Sequence, residues 1–148
     1  MALLDAIRRG RRAAERLMTD QCVIRRPTGR TIRDPETFVE TPVLDVAYDP
    51  TADPHKGRCK VQTYEGHERT ADVAGSTVTV QRSRVDLPVG ALAAEVGDIV
   101  TMIAAVDPLL VGRSFRIVQE APYKSHATAY RVFVDENVGQ EVPPWPTA

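Results

Sequence analysis

The chain has 148 residues, of which 43% are hydrophobic and 26% are charged, and its formal net charge is -1. This length predicts a single domain, and the near-neutral charge argues against a generally basic nucleic-acid-binding protein. No apolar run approaches the length needed to cross a membrane, and arginines interrupt the N-terminus where a secretory signal peptide needs its apolar core. The two cysteines, Cys22 and Cys59, provide no disulfide framework and are typical of a reducing cytoplasm.

Residues 1–19 are predicted to form an amphipathic helix, because apolar or small residues recur at spacings of three and four. This stripe consists of Leu3, Ile7, Gly10, Ala14 and Leu17. Arginines occupy the other side, namely Arg8, Arg9, Arg11, Arg12 and Arg16. One interpretation is a solvated basic face on a helix packed against a sheet. The alternative is a surface for an acidic partner or for DNA phosphates.

Turn residues divide the segment after the helix into short extended runs. Residues 20–26 predict a strand, which Pro27-Thr28-Gly29 is expected to end in a turn. A second extended run is predicted over residues 37–45, with Phe38 and Val43 in the core. Residues 45–57 combine two prolines, a glycine and aspartates, so they are predicted to form a loop.

The middle of the chain alternates between polar and apolar residues with a period of two. Residues 58–63 predict a strand with Cys59 and Val61 facing inward. Residues 64–75 have almost no apolar content and are predicted to form a long polar loop. Residues 76–81 predict another strand, closed by the run from Val85 to Pro88, and residues 89–95 are expected to include a short helical turn.

The segment from residue 96 to residue 135 is predicted to form an antiparallel meander of three strands. The strands are expected at residues 99–105, 114–120 and 128–135, separated by proline, glycine and aspartate. Phe115 and Ile117 should share one face. A meander alone leaves two open edges, so the rest of the chain must cover them.

Together, the predicted elements indicate an all-β fold, a small antiparallel β-barrel or sandwich of about seven strands with an N-terminal helix. We divide it into the helix at 1–19, the barrel at 20–137 and a proline-rich C-terminal arm at 138–148. Prolines keep the arm out of a helix or a sheet interior, and its tryptophan is typical of an interface anchor. The candidate interface residues of the arm are Pro143, Pro144, Trp145 and Pro146.

No residue pattern predicts catalysis, a metal site or a cofactor. Cys22, His55, Cys59 and His67 match no common zinc spacing, and no Cys-x-x-Cys pair is present. The chain has neither a Gly-x-Ser-x-Gly elbow nor a phosphate-binding glycine pattern. We therefore expect a protein that is not an enzyme and that binds no metal or cofactor.

The order of elements resembles a known family. A basic helix precedes a barrel, and Cys59-Lys60-Val61-Gln62 leads into a polar loop. Val78-Thr79-Val80, Asp86-Leu87-Pro88 and Gly97-Asp98-Ile99-Val100 follow, and then the run from Leu110 to Val118. Over residues 1–138 this progression resembles the head-closure, or head-to-tail stopper, proteins of long-tailed bacteriophages, particularly those of actinobacterial hosts.

The resemblance implies a structural virion protein of the head-tail connector, located at the head-tail interface after assembly in the host cytoplasm. Six or twelve copies would form a ring below the portal or adaptor and above the tail terminator or tail tube. The ring would close the DNA channel after packaging, dock the tail and contact passing double-stranded DNA. The resemblance puts the channel gate on the polar loop, with Tyr64, Glu65, His67, Glu68, Arg69 and Asp72 as candidate gate residues.

Two further expectations follow. An assembly subunit with interfaces that order only on contact should be monomeric alone and form its ring on the portal-adaptor platform. The alternative function, from a different class, is a small-barrel nucleic-acid-binding protein that uses the arginine-rich region from Arg8 to Arg33.

Overall fold

The computed structural model describes residues 1–63, 69–73, 76–80, 83–120, 126–136, 142–143 and 145. Helix α1 spans Ala2–Arg16, and a short 3-10 turn spans Pro108–Leu110. The strands are β1 (Asp20–Arg33), β2 (Glu40–Tyr48), β3 (Arg58–Thr63), β4 (Arg69–Val73), β5 (Ser76–Val80), β6 (Ser83–Leu87), β7 (Ile99–Ala104), β8 (Ser114–Gln119) and β9 (Tyr130–Glu136). No helix in the described ranges is both long and apolar enough to cross a membrane.

Six strands form a closed antiparallel barrel in the order β1-β3-β6-β9-β8-β7, and β7 pairs back with β1. The extra strand β2 pairs with β1 outside the closed ring. A separate two-stranded sheet contains β4 and β5. The predicted all-β barrel with an N-terminal helix is therefore confirmed, and seven strands belong to the barrel sheet.

The predicted meander is confirmed as β7, β8 and β9, which are neighbours in the barrel. Phe115 and Ile117 are buried while Arg116 between them is exposed. Val132 and Val134 face the same core from β9. Strands β8 and β9 alternate with a period of two because one face of each is inside the barrel and one outside, whereas β7 is buried on both faces from Ile99 to Met102.

Strand β1 is longer than predicted. The expected turn at Pro27-Thr28-Gly29 is wrong, because β1 continues to Arg33 and a register shift between Pro27 and Thr31 absorbs these residues. Gly29 has a φ of +79°, and the Thr28 hydroxyl donates to the Val43 carbonyl at 2.8 Å. Beyond Arg25 the strand pairs only with β2, so a proline without an N–H group is tolerated there.

The assignment of residues 37–48 also changes. The chain turns at residues 34–39, and β2 then runs through Tyr48, so the predicted loop at 45–57 is shorter. Phe38 is 65% exposed, which makes its predicted core position wrong, and Val43 is half-buried. Tyr48 is fully buried instead, and its hydroxyl donates to the Arg58 carbonyl at 2.8 Å. Burial raises the pKa of Tyr48 above its usual range.

Residues 64–87 contain more strands than predicted. The run that was expected to close a strand is itself the barrel strand β6, with Val85 and Leu87 in the core. Residues 69–73, predicted as part of a loop, form β4 and pair with β5. Residues 89–95, where a short helical turn was expected, begin with a turn closed by a 3.1 Å hydrogen bond from the Ala91 amide to the Pro88 carbonyl and contain no helix.

The core fills the interior of the barrel and includes both thiols. Cys22 and Cys59 are completely buried and free. A hydrogen bond with Cys22, together with burial, raises the pKa of the Cys59 thiol well above its usual range. Both cysteines are therefore packing residues, and Cys59 has suppressed thiolate character. The other core side chains belong to Ile24, Tyr48, Val85, Leu87, Ala94, Val100, Met102, Phe115, Ile117, Val132 and Val134.

The β2–β3 connection approaches β1 closely at Gly57, and this contact generates a stability prediction. Gly57 has a φ of +73°, and a Cβ atom there would lie 3.0 Å from the Cys22 carbonyl oxygen and 3.0 Å from the Pro50 nitrogen. Gly90 has a similar φ of +84°, but a Cβ atom there would meet nothing within 4 Å. The two glycines thus share a backbone requirement and differ in available space.

We expect Gly90→Ala to lower the free energy of unfolding by about 1–2 kcal/mol through left-handed backbone strain. Gly57→Ala should lower it by about 1–3 kcal/mol more, because the added methyl group overpacks fixed backbone atoms. Urea titrations of both variants measure the difference. Equal losses for the two variants would contradict the close approach at Gly57.

Candidate functional site

Helix α1 presents most of its surface to solvent, including four of the five predicted partner-facing arginines. None of its residues is fully buried. Arg8, Arg9, Arg12 and Arg16 are exposed, whereas Arg11 is half-buried and its Nε donates to the Ala127 carbonyl at 3.1 Å. The exposed four recur at spacings of three and four, so they form one continuous basic stripe.

The helix contacts the barrel through small and polar residues. Gly10 lies so close to Thr128 that a Cβ atom would come within 2.9 Å of its methyl carbon. Glu15 Oε1 lies 4.0 Å from His55 Nδ1 in the β2–β3 connection. The predicted apolar stripe is only partly correct, because Leu3 and Leu17 are 61% and 63% exposed and Met18 is buried in place of Leu17.

Arg26 forms the most extensive ion pair outside the helix. Its Nε lies 3.0 Å from Asp98 Oδ1, its Nη2 lies 3.0 Å from Oδ2, and Nη2 also donates to the Ala93 carbonyl at 3.0 Å. The Asp98 side chain is 1% exposed and also accepts from the Glu95 amide at 2.9 Å. The hydrogen bond with Asp98 raises the pKa of Arg26. This pair therefore fixes β1 to the turn before β7.

Arg25 is also an internal residue. Its guanidinium is 5% exposed and donates to the Thr101 hydroxyl at 3.0 Å, and this hydroxyl lies 3.1 Å from the Ser114 hydroxyl. Its Nε is buried without a hydrogen-bond partner in the described ranges. Burial lowers the pKa of Arg25. Both guanidinium groups thus bind groups of the barrel. Arg25 is buried and unavailable to nucleic acid, whereas the Arg26 side chain is 35% exposed.

The candidate gate segment leaves the barrel between two paired residues. Thr63 at the end of β3 is the register partner of Ser83 at the start of β6. Residues 64–82 are therefore an excursion from adjacent strand ends, and β4 and β5 pair with each other within it. Arg69 and Asp72 lie on β4. The other candidate gate residues, Tyr64, Glu65, His67 and Glu68, lie outside the described residues.

Because the strands of the barrel alternate in direction, the connections between them lie at two opposite rims. Different segments of the chain lie at each rim. One rim carries residues 64–82, the β7–β8 connection and the chain after Glu136. Val106 and Leu109 in the β7–β8 connection are 78% and 74% exposed. The opposite rim carries residues 88–98 and the outer part of the β1–β2 hairpin. Exposed apolar side chains thus occur at both rims.

The β1–β2 hairpin extends well beyond the barrel. The last β1 residue paired with β7 is Arg25, and β1 continues to Arg33. At about 3.3 Å per residue this is a projection of roughly 20–25 Å. Every residue from 31 to 41 is exposed, including Ile32 at 65% and Val39 at 48%.

The end of the hairpin has a defined conformation. The Asp34 carboxylate accepts hydrogen bonds from the Glu36 amide at 2.8 Å and the Thr37 amide at 3.4 Å. These bonds hold the pKa of Asp34 below its usual range, so the carboxylate persists as the pH falls. Phe38 has a φ of +60°, and its ring lies 5.1 Å from the Arg33 guanidinium carbon.

The C-terminal arm is only partly described. Pro143 and Trp145 are half-buried, whereas Pro144 and Pro146 lie outside the described residues. Burial of part of Trp145 within the isolated chain means that not all of this side chain is available to a partner.

The described residues contain no group of three or more His, Cys, Asp or Glu side chains arranged to hold a metal ion. Cys22 and Cys59 lie in the core, while His55 lies beside Glu15. His67 lies outside the described residues, so the absence of a zinc site in the whole chain stays a prediction, as does the absence of catalysis.

The Arg26–Asp98 pair allows a test with a matched control. Asp98→Asn should lower the free energy of unfolding by about 1.5–3 kcal/mol, because it weakens charge-assisted hydrogen bonds to a buried carboxylate. Glu136→Gln removes the carboxylate of the exposed Arg113–Glu136 pair, whose atoms are 2.7 Å apart, and should cost less than about 1 kcal/mol. Denaturant titration compares them, and equal losses would refute a structural role for Arg26.

The comparisons with known proteins identify a family and no nearer relative. Neither the curated proteins nor the solved structures gave a match. A family model, DUF6093, described as a family of unknown function, matches residues 10–135. The matched range begins within α1 and ends in β9, so it contains the barrel and both projecting hairpins. Because the match covers most of the 148-residue chain, the chain belongs to the DUF6093 family of unknown function.

Proposed function

We propose that the protein is a structural subunit of a bacteriophage head-tail connector. In this proposal it forms a ring of six or twelve copies below the portal or adaptor. The observation that carries the proposal is a closed barrel with a separate hairpin beyond each rim: the β1–β2 hairpin at one, and the paired strands β4 and β5, between Thr63 and Ser83, at the other. A subunit that connects one ring above to another below needs such surfaces at both ends.

The barrel is suited to a load-bearing subunit. Each of its six strands has a paired neighbour on both sides, and the β1–β3 pairing is the shortest, at Arg58 and Cys59 of β3, so closure leaves the barrel with little strand edge for uncontrolled pairing. The free edge of the seven-stranded sheet belongs to β2, where Pro42 interrupts the amide pattern. Specific contacts are therefore left to the projections, as an ordered assembly requires.

The excursion between Thr63 and Ser83 is our candidate channel gate. Its two ends are fixed by strand pairing, and β4 and β5 give part of it a defined backbone. A paired hairpin can obstruct a channel more effectively than a long unpaired loop, since less conformational entropy opposes its ordering. Carboxylates at Glu65, Glu68 and Asp72 would repel the phosphates of passing double-stranded DNA.

Two other surfaces complete the proposal. The basic stripe of α1 faces solvent and is a candidate contact for a partner subunit. The arm with Pro143, Pro144, Trp145 and Pro146 follows the strand end at the gate rim and is a candidate contact with the tail terminator or tail tube. Both remain proposals, and the virion is the location that they imply.

Electron microscopy of the protein with purified tailless capsids tests the proposed function directly. We expect the protein to be monomeric or weakly associated in solution at micromolar concentration, and to add a ring below the portal when mixed with these capsids. Sedimentation measures the first state, and the averaged density at the portal vertex measures the second. A preparation of capsids that already carry tails serves as the control, because its docking surface is occupied.

A ring that is stable without capsids, or capsids that never acquire density below the portal, would contradict this function. The alternative, a small-barrel nucleic-acid-binding protein, rests on the exposed arginines of α1. In that case the isolated monomer would bind duplex DNA with an affinity that falls steeply with salt. Tight, salt-dependent binding without capsid attachment would favour the alternative.

Replacing the excursion tests its role as a gate. Because Thr63 and Ser83 are register partners, residues 64–82 can be exchanged for Asn-Gly, the preferred two-residue connection between antiparallel strands. We expect this variant to fold, to form rings and to let packaged DNA leak from heads that lack tails. Nuclease-protected DNA per head measures the leakage.

A matched control changes an exposed side chain at the same rim outside the excursion. Leu109→Ser in the β7–β8 connection, where Leu109 is 74% exposed, should leave both ring formation and DNA retention unchanged. If rings carrying the Asn-Gly exchange retain all their DNA, the excursion is not the gate, and the β2–β3 connection becomes the next candidate.

A further inference from the structure

The end of the β1–β2 hairpin has the composition of a binding surface and is exposed throughout. Ile32, Phe38 and Val39 are exposed by 65%, 65% and 48%. Residues 31–40 carry three carboxylates, at Asp34, Glu36 and Glu40, and one basic side chain, Arg33, whose guanidinium carbon lies 5.1 Å from the centre of the Phe38 ring. We call residues 31–40 the hairpin tip; it combines exposed apolar side chains with an excess of two negative charges, three carboxylates against one guanidinium.

The backbone at the tip is strained at its largest apolar residue. Phe38 has a φ of +60°, a conformation that costs an L-residue about 1–2 kcal/mol and that glycine adopts freely. The conformation is fixed by two hydrogen bonds, from the Phe38 amide to the Asp34 carbonyl at 2.9 Å and from the Asp34 amide to the Val39 carbonyl at 3.0 Å. Such strain at an exposed aromatic residue is typical of a functional surface.

Helix α1 carries the complementary surface. Its N-terminal turn exposes Met1, Leu3 and Leu4 by 94%, 61% and 51%. The basic stripe of Arg8, Arg9, Arg12 and Arg16 follows directly, and the exposed acidic side chain on this helix is Asp5. Apolar side chains and cationic side chains therefore lie side by side on α1, as apolar and anionic side chains do on the tip.

We propose that the hairpin tip of one copy docks on helix α1 of a second copy of this chain. The exposed apolar side chains of the tip would cover the exposed leucines, and Glu36 and Glu40 would face the basic stripe. This inference rests on the proposed ring function and specifies how neighbouring subunits make contact.

The contact is heterologous, because two different surfaces of the chain meet. A heterologous contact repeats from copy to copy and closes into a ring when its rotation permits. Pairing of two identical tips would instead bring their carboxylates together, and pairing of two helices would bring their arginines together. Like-charge repulsion therefore disfavours both symmetric arrangements.

Disulfide crosslinking between variants that each carry one added cysteine tests the contact. Cys22 and Cys59 are buried and do not compete, so Thr37→Cys places a thiol on the tip and Ala6→Cys places one between Leu3 and Arg9. Mixing the two variants under mild oxidation should give a covalent heterodimer, with little product from either variant alone. Val106→Cys, an exposed apolar position at the opposite rim, replaces Ala6→Cys in the control mixture.

Charge reversal gives a second, quantitative readout. Glu36→Arg with Glu40→Arg on the tip-thiol variant should lower the heterodimer yield about tenfold. The yield should return to within about twofold of its original value when the helix-thiol variant carries Arg9→Glu with Arg12→Glu, as expected for directly coupled residues. High salt should lower the original yield, because the charges are exposed.

Equal crosslinking of the tip to Ala6→Cys and to Val106→Cys, efficient tip-to-tip crosslinking, or no crosslinking at all would overturn this contact. Rescue by the reversed charges would support it. The proposed function is judged separately: a charge-reversed tip variant that still forms normal rings on tailless capsids refutes the tip-to-helix contact alone, whereas wild-type protein that forms no ring refutes the connector function.

Discussion

The barrel depends on how the two edges of β1 are divided among three partners. One edge pairs with β7 from Gln21 to Arg25, while the other pairs with β3 at Asp20 and Gln21 and then with β2 from Ile24 onward. The change of partner is possible because the β2–β3 connection turns away next to Cys22, where Gly57 leaves room for the backbone. The same division closes the barrel and sends the outer hairpin away from it. The closure of the barrel and the projection of the β1–β2 hairpin therefore depend on the same pairing of β1.

Sequence reasoning predicted best the strands that have one face exposed to solvent and the other face buried in the core. Strands β3, β8 and β9 alternate with a period of two, and turn residues bound the apolar run of β7, so their bounds were found within one or two residues. It failed where tertiary pairing overrides local signals. Pro27 and Gly29 read as a turn, but pairing with β2 holds them in a strand with a register shift. Tyr48 follows Asp45 in a segment with a loop-like composition, yet it is the largest buried side chain.

The candidate surfaces were predictable to different degrees. The basic stripe of α1 follows from helical spacing, and four of its five arginines are exposed as a partner-facing surface requires. The hairpin tip was missed, because an aromatic residue such as Phe38 is normally assigned to the core. The Arg26–Asp98 pair was also missed: its members are 72 positions apart, and charged residues at that separation carry no local pattern. The Asp34-Pro35 dipeptide was the available sequence signal for a turn at the tip.

The pairing of β1 with β7 also has a kinetic consequence. Arg25 and Thr101 touch across the closed barrel although they are 76 positions apart in sequence. Contacts of such long range make a small β-domain fold in roughly milliseconds to seconds, since loop-closure entropy must be overcome before the contact forms. On the ribosome, β1 and β2 emerge together and can pair locally, but the second edge of β1 is covered only after β7 has been synthesised, and the barrel closes only after β9. The projecting hairpin can therefore form before the barrel that carries it, so a half-made chain can present the hairpin tip before it has a core.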